Sequence, residues 1–253
     1  MYRITYLLLV LVLISACSTK KNVVFMQDLS SESLYNVEYK EYTVRVDDIL
    51  KIDVKSETPE ISEFLNFDGS STTLSQTRES LVFSGYIVDK NGNINFPALG
   101  YVQVKGFSVN QIIKIITDKI IDKGLLTDPI IDIKILNSNF TIIGEVKSPG
   151  RYDYLENNLN LLEAIGIAGD LTINGRRDDV KIIREKDGKQ NVINVDLTSS
   201  EFITGDAFQI FSGDIIIVNP NSSKIKNAGI IGNFGTLLSV LSFVLSSIIV
   251  INR

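Results

Sequence analysis

The 253-residue chain sets 25 lysines and arginines against 30 aspartates and glutamates, for a net charge of −5 and a pI near 4.9. That balance argues against a nucleic-acid partner, which would want a basic face. With no histidine and a single cysteine, His-dependent triads, His-built zinc sites and internal disulfides are excluded; no glycine-rich phosphate loop or marked carboxylate pair occurs, so the composition leans against an enzyme and no cofactor or metal is expected.

Residues 1–16 read as an export signal. Arg3 supplies a positive start, Leu7 to Ile14 a short apolar core, and Ile14-Ser15-Ala16 a small-residue cleavage site. The core is too short for a comfortable membrane span. It ends on Cys17, the only cysteine, a junction that resembles the lipobox of bacterial lipoproteins. The resemblance implies a diacylglycerol anchor at Cys17, and Ser18 in place of Asp after it implies sorting to the outer membrane. An ordinary secretory signal with an incidental cysteine is the alternative. Residues 17–41 read as a tether, without the acidic cluster that would place the bulk of the chain on the cell surface.

From Tyr42 the pattern turns to strand, YTVRVDDILKIDV alternating β-branched and polar residues across a turn at Asp47-Asp48. Ser56 to Ser80 are Ser/Thr-rich and aperiodic, a surface loop. Tyr86 to Val88 and Ile94 to Phe96 form a hairpin about Asn91-Gly92, whose glycine supplies positive φ. Pro97 and Gly100 bend the chain before a strand over Tyr101 to Val104. Ser108 is a good helix N-cap, and Ile112, Ile115, Ile116 and Ile120 set an apolar stripe that Gly124 can end. DPIIDIKIL returns to strand and closes an αβ domain over 42–137.

A second unit covers 138–221. Phe140 to Val146 is a strand, and Ser148-Pro149-Gly150 a turn in which Pro149 sets φ and Gly150 allows φ > 0. After a strand over Arg151 to Tyr154 comes a short helix, Leu161 to Ile167, ended by Gly169. Val180 to Arg184 and Val192 to Asp196 make a hairpin around Asp187-Gly188, and Gly213-Asp214 opens the last strand. Strands wrapped around one short helix make a β-grasp-like unit. Asp48-Ile49-Leu50-Lys51-Ile52 is echoed by Asp214-Ile215-Ile216-Ile217-Val218, which recurring turn chemistry explains as readily as common descent.

YTVRVDDILKID, GYIVDKNGNINFPALGYVQVKGFSVNQI and DPIIDIKIL together resemble the polysaccharide biosynthesis/export domain of outer-membrane capsule and exopolysaccharide export proteins. FTIIGEVKSPGRYDY, LLEAIGIAGDLT and SGDIIIVNP resemble the soluble-ligand-binding β-grasp (SLBB) module that follows it in that family. The expected fold class is therefore α+β: an export domain, one β-grasp domain and a C-terminal membrane helix over 229–252. The family's Pro-Gly-Asp turn is here Val46-Asp47-Asp48, and its Ala-Gly-Gly is Ala168-Gly169-Asp170; aspartate tolerates the left-handed region. Longer relatives carry two or more β-grasp modules, and a single one implies a shorter periplasmic reach toward an inner-membrane partner. The resemblance implies a ring-shaped homo-oligomer in the outer membrane, lipid-anchored, with the bulk of the chain in the periplasm. Polysaccharide would pass up its centre, with an inner-membrane co-polymerase or tyrosine kinase docked below. The turn residues Asp48, Asn91, Gly92, Pro97, Gly100, Pro149, Gly150, Gly169, Gly213 and Asp214 are read as structural. A lipid-anchored glycan-binding or adaptor protein without a pore is the alternative reading.

No charged residue lies between Lys226 and Arg253. As a helix, Asn233 to Ile251 would be roughly 29 Å long, close to a bilayer's hydrocarbon thickness. Stepping about 100° per residue gathers Gly232, Gly235, Thr236, Ser239, Ser242, Ser246 and Ser247 on one small, hydroxylated face, suited to line a pore. Leu237, Leu238, Leu241, Leu245, Ile248 and Ile249 form an aliphatic face suited to lipid, and Phe243 and Val250 interrupt the polar one. An anchor helix whose small residues pack against neighbours would look similar.

Overall fold

Two runs of alternating isoleucine, ILKIDVK and IIDIKI, make the centre of the first domain. The computed structural model describes residues 23–30, 34–57, 59–66, 85–186, 188–227 and 234–251. In it β1 (Ile49–Lys55) pairs antiparallel with β5 (Ile130–Ile135), Leu50 opposite Ile135 through Lys55 opposite Ile130. The short β2 (Tyr86–Ile87) takes the other side of β1. Alternation turns Leu50, Ile52 and Val54 to the buried face. A hairpin of β3 (Asn93–Phe96) and β4 (Gly100–Gln103) adds Ile94, Phe96 and Val102 to that core.

A short helix, α1 (Pro59–Leu65), lies within the stretch expected as a loop. It buries Leu65 completely, and the Asn66 amide bridges both backbone groups of Val54. Fewer than two turns with Ser62 and Leu65 inward are too short to register as helical periodicity. Residues 67–84, the rest of that expected loop, lie outside the described residues.

The second helix, α2 (Val109–Asp122), lays Ile112, Ile116 and Ile120 across the core. Its start is a capping box: the Ser108 hydroxyl accepts the Gln111 N–H and the Gln111 side chain accepts the Ser108 N–H.

In the second domain β6 (Asn139–Gly144) and β10 (Ile215–Pro220) run parallel inside a five-stranded sheet ordered β7-β6-β10-β8-β9. The other pairs, formed by β7 (Gly150–Asp153), β8 (Gly175–Lys186) and β9 (Lys189–Val195), are antiparallel. One short helix, α3 (Leu161–Ile167), seats Leu161, Ala164 and Ile165 against Phe140, Ile142, Val180, Ile182, Ile216 and Val218. This is the β-grasp-like arrangement expected. The hairpin arms are longer than periodicity suggested, because β8 begins at Gly175, five residues before the first apolar alternation. Asp187, at its tip, lies outside the described residues.

The expected tether over 17–41 is, where described, a strap bound to the second domain. Phe25 and Met26 pack on its core, and the Met26 and Gln27 N–H groups donate to Leu197 and Thr198 carbonyls at 2.9 and 2.8 Å. The Asp28 carboxylate accepts the Ser200 N–H and the Ser199 and Ser200 hydroxyls. Tyr35 bonds Ser200 at 2.7 Å, and the Gln209 amide pairs with both backbone groups of Lys40. Scattered apolar residues with side-chain caps between them leave no periodic signal, which is why the segment reads as a linker.

The C-terminal segment forms α5 (Phe234–Ile251), after a short α4 (Ser222–Asn227). Its 18 residues give about 27 Å of helix, short of a hydrocarbon core of about 30 Å. Among the described residues no helix is long and apolar enough to cross a membrane, so the expected span over 229–252 is not found as such. At 18 residues the helix is at the short end of what a span needs. Ser239, Ser242, Ser246 and Ser247 each donate to the carbonyl four residues back, at 2.7 to 2.8 Å. Gly235, Leu238, Ser239, Ser242 and Ser246 are exposed and Ser247 half-buried. Thr236, Leu237, Leu241, Leu245, Ile248 and Ile249 are helical by backbone, and their side chains lie outside what is described, as do Cys17 and Gly232 altogether.

Candidate functional site at the domain junction

The two aspartate turns that echo each other in sequence meet in space. In the first, Asp47 takes a φ of 67° and the buried Asp48 turns its carboxylate back, Oδ2 accepting the Arg45 N–H and the Tyr42 hydroxyl, both at 2.8 Å. In the second, Gly213 takes a φ of 88° and Asp214 Oδ2 accepts the Phe211 N–H at 2.9 Å. Each carboxylate satisfies a backbone donor three residues upstream and launches a core strand, β1 or β10. Arg45 joins them: its Nη1 donates to the Ser212 carbonyl at 3.3 Å. The shared pattern therefore marks both faces of one domain junction.

Arg184, which sequence reading passed over, locks the second turn. Its Nε and Nη2 grip the Asp214 carboxylate at 2.9 and 2.6 Å, and further N–H groups reach the Asp206 and Gln209 carbonyls at 3.0 and 2.7 Å. The Phe211 ring lies 4.4 Å from the guanidinium carbon. Asp214 is 1% exposed, so this is a buried ion pair whose desolvation is offset by a nearly complete donor set. Only a basic residue at even spacing from the core positions of β8 could have pointed to it.

Burial pushes the Asp48 carboxyl above its usual range, opposed by the Arg45 and Tyr42 hydrogen bonds and the Arg45 charge. Burial also raises the Tyr42 and Tyr154 phenols far above theirs, with the Asp48 and Asp214 carboxylates respectively adding to it. Both phenols stay protonated as neutral hydrogen-bonding groups. Two clefts border the junction and share Glu41 and Phe211 in their walls. One, of about 960 Å³, carries Arg45, Lys105, Arg184 and Lys186 among its charges. The other, of about 240 Å³, is walled by tyrosines and amides. The buried carboxylates are committed to N–H donors, so the junction can hold two domains at a fixed angle and present polar walls.

The far end of β8 makes a second cluster. Arg177 is 5% exposed, its Nη1 donates to the Thr172 and Gly175 carbonyls, and the Phe25 ring of the strap lies 5.1 Å from its guanidinium carbon. Thr172 in turn donates to Glu145 at 2.8 Å, and Glu145 pairs with Lys224 of α4. The Lys224 hydrogen bond holds the Glu145 carboxyl below its usual range. The Asn221 N–H reaches the Asn174 carbonyl at 2.7 Å. The strap's start and the exit toward α5 are thus tied through one loop, 171–175.

The remaining turn residues behave unevenly. Gly92, Gly100 and Gly169 have positive φ, as has Asp170 at 76° where the family pattern has glycine. The Asn91 N–H donates to Asp89 Oδ1, Pro97 precedes Ala98 at a φ of 59°, and Pro149 lies in the bend before β7. Gly150 departs from expectation: its φ is not positive, it pairs with Ile142 in β7, and an added Cβ would meet only Tyr152 at 3.9 Å. The strained position is Gly144, at a φ of 95°, where a Cβ would fall 2.0 Å from the Val218 carbonyl oxygen. Nothing in a strand-like sequence reveals that parallel approach.

Residues 36–136 match the family model of the polysaccharide biosynthesis/export protein, and residues 139–194 that of the SLBB domain. The EPS I polysaccharide export outer membrane protein EpsA of Ralstonia solanacearum is 28% identical over 158 residues, which are 61% of this chain and 41% of the relative. The protein of the same description from Ralstonia nicotianae is 27% identical over 175 residues, 67% of this chain and 45% of the relative. The chain spans less than half the length of either. The two family matches meet at the junction just described: residues 36–136 belong to the polysaccharide biosynthesis/export family, and an SLBB domain follows them over residues 139–194.

Proposed function

We propose that the protein is a non-enzymatic subunit of an outer-membrane export channel for capsular or exopolysaccharide. The observation that supports it most is the convergence of two apolar ends. Phe25, eight residues after Cys17, and α4, which leads to α5, are tied to the same loop at one end of the SLBB domain. Eight residues reach at most about 29 Å, so a lipid on Cys17 and the C-terminal helix would meet a membrane on the same side. The export domain sits at the opposite end of β8 and would extend into the periplasm, toward an inner-membrane co-polymerase or kinase. Copies joined head to tail would close a ring of this polarity. A helix in such a ring needs only one lipid-facing side, so it can be less apolar than a lone span.

The second reading, a lipid-anchored adaptor without a pore, draws on the serine geometry. Four hydroxyls bonded within their own helix need neither water nor a neighbour. The two readings part on the faces of α5. Leu241→Lys places a charge on the expected lipid face, where insertion costs roughly 2.5–3.5 kcal/mol per helix near the bilayer centre, and should abolish assembly in membranes. Ser239→Lys, on the hydroxylated face, should still assemble and should alter conductance across a planar bilayer. Images of detergent-extracted particles should show a ring with a central hole. Monomeric particles, or equal tolerance of both lysines, would favour the adaptor.

A further inference from the structure

The smaller cleft at the junction has walls of two kinds. Most of its polar groups are already engaged: Tyr42 donates to Asp48, Asn110 to Glu41, and Gln209 serves the Lys40 backbone. Four are not. The Ser138 hydroxyl, the Tyr154 hydroxyl and the side-chain amides of Asn157 and Asn158 line the same cleft, and none makes a side-chain hydrogen bond with any described residue. Ser138 is only 9% exposed, so its hydroxyl reaches solvent through the cleft or not at all. Tyr154 is half-buried and Asn157 and Asn158 are exposed, so the four line the cleft from floor to rim with donors and acceptors that a ligand could use in place of water.

We infer that this cleft binds a short neutral saccharide segment between the export and SLBB domains. Hydroxyls and primary amides each donate and accept, as the vicinal hydroxyls of a pyranose do. Phe211 adds an apolar wall against which the C–H face of a sugar ring can pack. The charge decides the sugar class. Glu41 and Glu156 line the cleft and no lysine or arginine does, so a uronate or phosphorylated sugar would meet repulsion at short range. The volume of about 240 Å³ lies below that of drug-sized sites and suits a short stretch of chain. The cleft takes its ligand source, a polymer in transit, from the export reading, and its chemistry stands apart from it.

The test titrates the full-length protein in detergent with cellotetraose, chitotetraose and tetragalacturonate by calorimetry. At least one neutral probe should bind saturably and the tetragalacturonate should not. Tyr154→Phe, and Asn157→Ala with Asn158→Ala, should each weaken that binding about tenfold, the loss expected for one or two hydrogen bonds. Because Tyr154→Phe removes only a hydroxyl and the two asparagines are exposed, melting temperatures should stay at the wild-type value. The inference is overturned if no neutral probe saturates, if both variants bind like wild type, or if tetragalacturonate binds as tightly. Particle images of the same preparations separate the two readings. Rings that bind no neutral probe sink the cleft and leave the channel; binding without rings supports the cleft on an adaptor.

Discussion

Gly144 offers the sharpest test of how the SLBB domain is held together. It ends β6 opposite Val218, in the parallel pairing with β10, at a φ of 95°. In Gly144→Ala the new methyl would lie 2.0 Å from the Val218 oxygen and 3.0 Å from its carbonyl carbon, where contact normally begins at about 3.5 Å. Both obstacles are backbone, so no rotamer change relieves them and the strands must part by about 1.5 Å. Parting threatens the Glu145 N–H to Val218 carbonyl bond at 3.0 Å. The left-handed backbone costs roughly 1 kcal/mol and the broken buried bond roughly 1–3 kcal/mol. A loss of about 3 kcal/mol should lower the melting temperature by at least about 12 °C in a domain of this size. Gly150→Ala is the control, expected within about 0.5 kcal/mol of wild type. Differential scanning calorimetry of both full-length variants decides: if they melt together, or Gly150→Ala is worse, the account of this sheet is wrong.

Gly92→Ala should cost about 2 kcal/mol in urea unfolding, since its φ of 86° is disfavoured for alanine and its Cβ would sit 2.5 Å from that of Lys105; a midpoint unchanged from wild type would contradict this. Arg184→Ala strands the buried Asp214 carboxylate and should cost roughly 3–5 kcal/mol, with Arg184→Lys recovering only part because lysine lacks the fork; full recovery by lysine would count against the bidentate role. Asp48 gives a pH signature. Burial raises its folded pKa, so the native state holds the proton more tightly than the unfolded chain, whose carboxyl titrates at about 3.9. That contribution is full below this value and is lost as pH rises through the folded pKa. Asp48→Asn, whose oxygen can still accept from Arg45 and Tyr42, should flatten the decline in stability above about pH 4; an unaltered slope in the variant would place the titration elsewhere.

Local chemistry with a period was legible in the sequence. The bounds of α3 and the capped start of α2 follow from spacing, from Gly169 and from Ser108, whereas the Asn160 capping box of α3 emerges only in the structure. What escaped were features fixed by partners distant along the chain. Gly150 and Gly144 look alike on paper, six residues apart, and only the approach of β10 makes one of them indispensable. Asp214 was visible as a turn residue, but its ion pair with Arg184 joins positions 30 residues apart. The strap read as a tether because its anchors, Phe25, Asp28, Tyr35 and Lys40, follow no period and bind residues more than 150 positions away. The free hydroxyls and amides of the smaller cleft escaped for the same reason. Freedom from a partner is a property of the fold.

These distant contacts give the SLBB domain a direction. The strap runs from Phe25 beside Arg177 to Lys40 beside Gln209, and β8 runs between the same two ends, from Gly175 to Lys186. At about 3.3 Å per residue its 12 residues span roughly 40 Å. One end ties the strap to the exit toward α5, and the other carries the Arg184–Asp214 lock against the export domain. The chain has no disulfide to make such a connection rigid, since it has one cysteine. The buried ion pair and the cation–π contact at Arg177 stand where cross-links would otherwise be useful. Loosening either end should therefore change the angle between an anchored end and the export domain before it unfolds the sheet between them.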